Sequence, residues 1–247
     1  QLRKNKNLKI IYYNEIDNLN DLLKRIKADV VIHCATHYVK NHSYKDIIKM
    51  NYSNILFGNL ILENTKYIKF KKFINFSTVW ENYNGIKNNP KNLYSSYKQS
   101  FSNILNFYKN KYSKIKFFNI FLSETFGKND NRLKLIPVLK KNFKSSKITR
   151  IVSKNLILNI LNVHDVIKAI EILLKKNVKK GDYIIKNSQN FLIYNIVEKI
   201  NNLGIKRLKV NYLSNKIIKE KLYNYKPLPL FKSKDSKLID VVRHIVS

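Results

Sequence analysis

The stretch Lys72–Phe121, KFINFSTVWENYNGIKNNPKNLYSSYKQSFSNILNFYKNKYSKIKFFNIF, reads as strand, helix, strand, and it decides the fold. Lys72 to Ser77 is a short β-rich run. Leu93 to Tyr112 repeats apolar side chains at helical spacing, with Tyr97, Phe101, Ile104, Leu105 and Tyr108 on one face. Ile115 to Phe121 is a second apolar run. Strands joined through a helix run parallel, with a right-handed crossover. Upstream, Asp29 to Cys34 (DVVIHC) is unbroken in its apolarity, as in a strand covered on both faces. Leu8 to Tyr13 (LKIIYY) reads as another strand, and Ile16 to Lys27 as a helix with Leu19, Leu22, Leu23 and Ile26 on one face. A long helical stretch covers Tyr44 to Lys66. After about Gly127 the pattern loosens. Helices are expected near Leu133–Phe143, Asp165–Lys175 and Tyr194–Asn202, and strands at Asp182–Ile185 and Leu208–Tyr212. The expectation is an α/β fold: a doubly wound parallel sheet with a smaller C-terminal lobe.

At 247 residues the chain holds one large domain, or a domain and a small lobe. With 44% hydrophobic residues it can bury a core, which excludes wholesale disorder. No run of eighteen uncharged apolar residues exists, so no membrane partner is expected. The lone Cys34 excludes a disulfide within the chain and a cysteine-built metal site, and reads as a small buried hydrophobe. His33, His37, His42, His164 and His244 show no ligand spacing, so no metal is expected. Lys+Arg 48 against Asp+Glu 16 gives a formal net charge of +32. The lysines are spread among asparagines, isoleucines and tyrosines, all encoded by A- and T-rich codons. Compositional drift therefore explains the charge better than a nucleic-acid partner, although a positive cleft would favour an anionic substrate. No apolar stretch follows Gln1-Leu2-Arg3-Lys4, which makes the cytoplasm the default compartment.

Tyr94 and Lys98, in YSSYK, stand four apart on a helix and project from one face. A phenol with a pKa near 10 is a poor base, and lowering it by about 3 units takes about 4 kcal/mol from a neighbour such as an ammonium. Such a pair can move a proton on and off a sugar hydroxyl during hydride transfer. Thr78, sixteen residues upstream, ends the strand KFINFS, where open α/β sheets place their ligands.

Together with Trp80, Asn84, Pro90, Asn92-Leu93-Tyr94 and Lys98-Gln99-Ser100-Phe101, these residues resemble the extended short-chain dehydrogenase/reductase superfamily, also called the NAD-dependent epimerase/dehydratase family. The likeness is to sugar-nucleotide reductases and epimerases, such as those acting on CDP-linked dideoxyhexoses. Ala28–Thr36, Asn51 in MNYSN, Glu124-Thr125-Phe126-Gly127, Asn129–Pro137 and Asn162-Val163-His164-Asp165-Val166 follow in the family's order. The resemblance implies a Rossmann-like dinucleotide-binding domain over residues 1–127. Residues 128–247 would form mainly a substrate lobe, with segments returning to that domain. It implies Tyr94 as acid/base, Lys98 lowering its pKa and holding the nicotinamide ribose, and Thr78 bonding the reacting oxygen. Ala35, Thr36 and Asn51 would line the cofactor, and Glu124, Arg132 and Lys134 the substrate. The implied cofactor is NAD or NADP and the partner a nucleotide-diphosphate sugar, with room for a homodimer and a place in polysaccharide biosynthesis.

Two departures qualify these implications. The family's 4,6-dehydratases follow the threonine with Asp-Glu, the acid and base that eliminate water; here Val79 and Trp80 stand there, which disfavours dehydration. And no G-x-x-G-x-x-G occurs in the 247 residues. The pyrophosphate-cradling turn is therefore expected to be missing with about 45 residues (the usual length of such a βαβ portion), which would impair cofactor binding. It would also leave DVVIHC without a neighbour along one edge. An inactive remnant or protein-binding paralogue is the alternative. Trp80 reads as a wall residue and Asp165 as a helix N-cap.

Overall fold

The computed structural model describes residues 7–13 and 16–247. The elements run α1 (Ile16–Arg25), β1 (Val30–His33), α2 (Tyr44–Asn51), a π-helical turn (Tyr52–Leu56), α3 (Phe57–Glu63), α4 (Thr65–Ile68) and β2 (Lys72–Thr78). A 3₁₀ segment (Val79–Gly85), α5 (Leu93–Lys111), β3 (Lys116–Leu122), β4 (Glu124–Phe126), α6 (Leu135–Ser145), β5 (Thr149–Ile151), β6 (Leu156–Leu158) and β7 (Ile160–Asn162) follow. The chain continues through α7 (Val163–Lys175), β8 (Gly181–Ile185), β9 (Phe191–Leu192), α8 (Ile193–Asn201), β10 (Val210–Tyr212), β11 (Ile218–Lys219) and α9 (Leu238–Val246).

The main sheet is parallel, in the order β1-β2-β3-β8. Because successive side chains alternate faces, Phe73 and Phe117 turn to one side, packing with Phe101 and Leu105 of α5 and Leu19 and Leu23 of α1. Ile74, Phe118 and Ile120 turn to the other, against Ala169 and Leu173 of α7. Helices thus cover both faces, as the doubly wound reading requires. Gly58 makes the first layer possible: a Cβ there would stand 2.5 Å from the Phe101 ring and 2.8 Å from His33. A second core, centred on α6, α8 and α9, holds Phe126, Ile136, Leu139, Ile196, Val241 and Ile245. The strand at Asp182–Ile185, in the later half of the chain, returns to the main sheet as β8.

Three expectations fail. Leu8–Tyr13 is not a strand: Leu8, Ile10, Ile11 and Tyr12 are exposed, and a parallel strand needs a neighbour that the described residues do not give it. Cys34 is exposed, because pairing with β2 ends at His33. Asp165 is not the cap of α7. Asn162 caps it, accepting from the backbone N–H of His164 at 2.9 Å, while Asp165 is wholly buried and ties down a distant loop. Its carboxylate accepts from the backbone N–H groups of Lys234 and Asp235 and from the Ser236 hydroxyl, at 2.6–3.2 Å.

Candidate active site

The carboxyl end of β2 delivers Ser77 and Thr78, and the capped first turn of α5 delivers Tyr94. Asn92 fixes that turn, accepting from the Ser95 N–H at 2.9 Å while its own N–H donates to the Ser95 hydroxyl at 3.0 Å. Thr78 and Tyr94 line one cavity of about 60 Å³ with Trp80, Ser123, Glu124, Arg132 and Lys134. It adjoins a larger cleft of about 610 Å³, which shares Trp80, Ser123 and Glu124 and adds Lys91, Lys186, Lys219 and Lys221. Three residues expected on the substrate side thus meet the expected acid/base. Arg132 is anchored by Asp130, with Nε 2.7 Å and Nη2 2.6 Å from the carboxylate. Lys134 Nζ lies 3.5 Å from Glu124 Oε1. That distance is an ion pair without hydrogen-bonding geometry, since Glu124 Oε1 is buried and has no hydrogen-bond partner.

Lys98 stands one helical turn behind Tyr94, buried and outside the lining of that cavity. Burial pushes its ammonium down to about 8, while Glu81 and then Cys34 pull it back up. The lowering of Tyr94 expected from Lys98 is not found. Burial pushes the phenol up to about 12, opposed by a hydrogen bond with Thr36 and by the Arg132 charge. Arg132, not Lys98, is therefore the cation that favours the phenolate in this arrangement.

Ala35 and Thr36 follow β1, and the Thr36 hydroxyl reaches Tyr94. Asn51 is exposed. Its expected place is taken by Asn54, wholly buried, which accepts from the His37 N–H at 2.8 Å and donates to the His37 carbonyl at 3.1 Å. Met50, Asn54 and Gly58 follow at four-residue spacing on the buried face, which leaves Asn51 outside it.

Several residues at the site carried no local signal in the sequence. Tyr38 packs edge-on against Tyr94 at 5.1 Å. Lys91 sits over Trp80 at 4.2 Å, and the Trp80 indole N–H donates to Glu220 at 3.3 Å, so Trp80 is the wall residue expected. Behind the sheet ends runs a buried chain of polar groups. His33 Nδ1 lies 2.8 Å from Asn75 Oδ1, Asn75 donates to Asn119 at 2.7 Å, Asn119 to Ser102 at 3.0 Å, and Ser102 to Glu81 at 3.1 Å. Because the Asn75 amide nitrogen is spent on Asn119, its oxygen faces His33, so Nδ1 carries the imidazole proton. Ser77 also donates to Glu81. Partners up to 44 positions apart leave no spacing to read.

The fold is of the Rossmann-like α/β class. The chain belongs to the NAD dependent epimerase/dehydratase family, whose model matches residues 2–186. It is similar in structure to a UDP-glucuronic acid 4-epimerase from Bacillus cereus, in complex with UDP-glucuronic acid and NAD. That match has a TM-score of 0.79 and 20% identity, over 99% of this chain and 83% of the other. A UDP-glucose 4-epimerase from Thermus thermophilus, in complex with NAD, matches with a TM-score of 0.75 and 16% identity, over 93% and 81%. At these identities the likeness is one of fold. In sequence, 74 residues are 38% identical to a dTDP-D-glucose 4,6-dehydratase from Dictyostelium discoideum, spanning 29% of this chain and 17% of that protein's length. Among the described residues no helix is long and apolar enough to cross a membrane, and no cluster could hold a metal ion.

Proposed function

We propose that the chain carries the reaction centre of an NAD(P)-dependent sugar-nucleotide 4-epimerase or 4-keto reductase. The carrying observation is the shared cavity of Thr78 and Tyr94 at the end of a central parallel strand. The residues present fit the nicotinamide half of the cofactor: Ala35 and Thr36 lead from β1 to Tyr94, with Lys98 buried behind. A bound nicotinamide supplies a hydride acceptor or donor. Tyr94 moves the proton at the sugar hydroxyl, and Thr78 orients the oxygen. Arg132 offsets negative charge on the phenol as the proton leaves. The lysines of the larger cleft suit a diphosphate, and Trp80 offers a flat wall to the sugar ring.

Dehydration has less support: Val79 is buried and carries no proton, and Trp80 is held by Lys91 and Glu220. The second reading, a relative without catalysis, is favoured by the Tyr94 phenol, which burial pushes up to about 12 while Lys98 stays outside the cavity lining. Calorimetry with NAD and with NADP separates the readings, binding favouring the enzyme and its absence the inactive relative. For the enzyme, Tyr94→Phe is expected to lower kcat on a nucleotide sugar by a factor on the order of 10² or more. Unchanged turnover would reject the assignment.

A further inference from the structure

Glu81 is 3% exposed, lies outside both cavities and takes no part in the steps above. We infer that Glu81 is the positioning residue of the site: a buried carboxyl that ties the strand end bearing Thr78 to the helix bearing Tyr94 and whose ionisation is coupled to that of Lys98. The inference rests on the proposed roles of those three residues.

The geometry argues for it from both sides. Glu81 Oε1 accepts from Ser77, the residue before Thr78, and from Ser102, one helical turn beyond Lys98 on α5. Its backbone carbonyl accepts from Gln99, the residue after Lys98, at 3.3 Å. Three hydrogen bonds thus join the 3₁₀ segment to the two elements that carry the reacting groups. Behind Ser102, the chain through Asn119 and Asn75 to His33 is directed throughout: each member donates toward Glu81. The line therefore ends at Oε1 of Glu81, an oxygen that accepts whether the carboxyl is ionised or protonated on its other oxygen.

The charges complete the argument. A buried carboxylate is costly without a cation, as is a buried ammonium without an anion. Glu81 and Lys98 are both buried, and the charge of each acts on the other. The other groups acting on Glu81 are Lys109 of α5 and Asp182 of β8, which form an ion pair with each other and so largely offset. Besides Glu81, the group acting on Lys98 is Cys34, just beyond β1, while His33 of β1, on which the Lys98 charge acts in turn, is held neutral by burial. Burial drives the carboxyl up to about 8 and the ammonium down to about 8. The carboxylate thus forms in the range in which Lys98 would otherwise give up its proton, and the two titrate as a coupled pair.

The test is NMR titration of the full chain labelled with 13C at lysine and glutamate side chains, in the native protein and in Glu81→Gln. In the variant the Lys98 midpoint is expected to fall by at least one pH unit, a tenfold loss of proton affinity, with Lys134, the other lysine of the site that burial pushes down, unmoved. An unmoved Lys98 midpoint would overturn the inference. Should Glu81→Gln fail to fold, the native protein still decides. Lys98 and Glu81 resonances that report one common step support the pairing, and separate steps at their ordinary values overturn it. Neither measurement needs cofactor or substrate, so a failure here is distinct from a failure of the proposed activity. In the active protein, Glu81→Gln is expected to lower kcat about tenfold with KM within twofold and to displace the pH profile. A purely structural role would leave that profile in place.

Discussion

Asn51 and Asn54 differ by one helical turn in sequence and by everything in surroundings. Asn54 spends both ends of its amide on the backbone of His37, which fixes the loop leading from β1 toward Tyr94. Removing it leaves a part-buried N–H and C=O unpaired, at about 1 kcal/mol or more each. Asn54→Ala is therefore expected to lower the unfolding free energy by about 2 kcal/mol or more in urea titrations, whereas Asn51→Ala, at an exposed position, should stay within about 0.5 kcal/mol. Equal effects would refute the assignment of the clamp to Asn54. The pair also marks how far residues were legible. Tyr94, Thr78, Glu124, Arg132 and Lys134, singled out by the motif order, line one cavity. Asn51 lies off the face that Met50, Asn54 and Gly58 bury. The electrostatics of Tyr94 followed from burial and Arg132, neither of which a Tyr-Lys spacing encodes.

Elements were legible in proportion to their period. α5 and α7 carry repeats long enough to register, and β2 and β3 are β-rich runs of seven residues each, so all four fell within a residue or two of expectation. Strands of two or three residues, such as β5, β6 and β9, are too short for alternation to register. α9 did carry a signal, Leu238, Val241, Val242 and Ile245, at helical spacing, with the last three wholly buried. The same logic of spacing locates the tightest contact between elements. α3 approaches α5 and β1 only because residue 58 has no Cβ, both neighbours there being rings in a closed core. Gly58→Ala should force Phe101 and His33 aside, at about 1–3 kcal/mol. A lowered thermal midpoint, with the near-ultraviolet signal of the aromatic layer altered, is the expected reading; unaltered values would show that the layer has slack.

For the whole molecule, pH acts on stability through the two ends of one buried polar chain, with opposite signs. His33 is held neutral: burial takes its imidazole from 6.5 down to about 4. Between those values the unfolded chain binds a proton that the folded protein refuses. This contribution is complete above pH 6.5 and is lost as pH falls toward 4, on the order of 3 kcal/mol. Glu81 runs the other way. Its carboxyl rises from 4.5 to about 8, so the folded protein holds a proton that the unfolded chain has released. That contribution is complete below pH 4.5 and is lost as pH climbs toward 8. Between pH 4.5 and 6.5 the two slopes oppose each other, and Lys98, titrating between about 8 and 10.5, stays out of that window. The parent protein should therefore show a nearly flat contribution from this chain. Glu81→Gln leaves the imidazole alone, and stability should then rise with pH across the window. His33→Asn, whose amide can still donate toward Asn75, leaves the carboxyl alone, and stability should fall. Urea midpoints collected at half-unit steps of pH read both slopes directly. Two variants with parallel profiles would mean that the groups at either end of the chain do not carry the charges assigned to them.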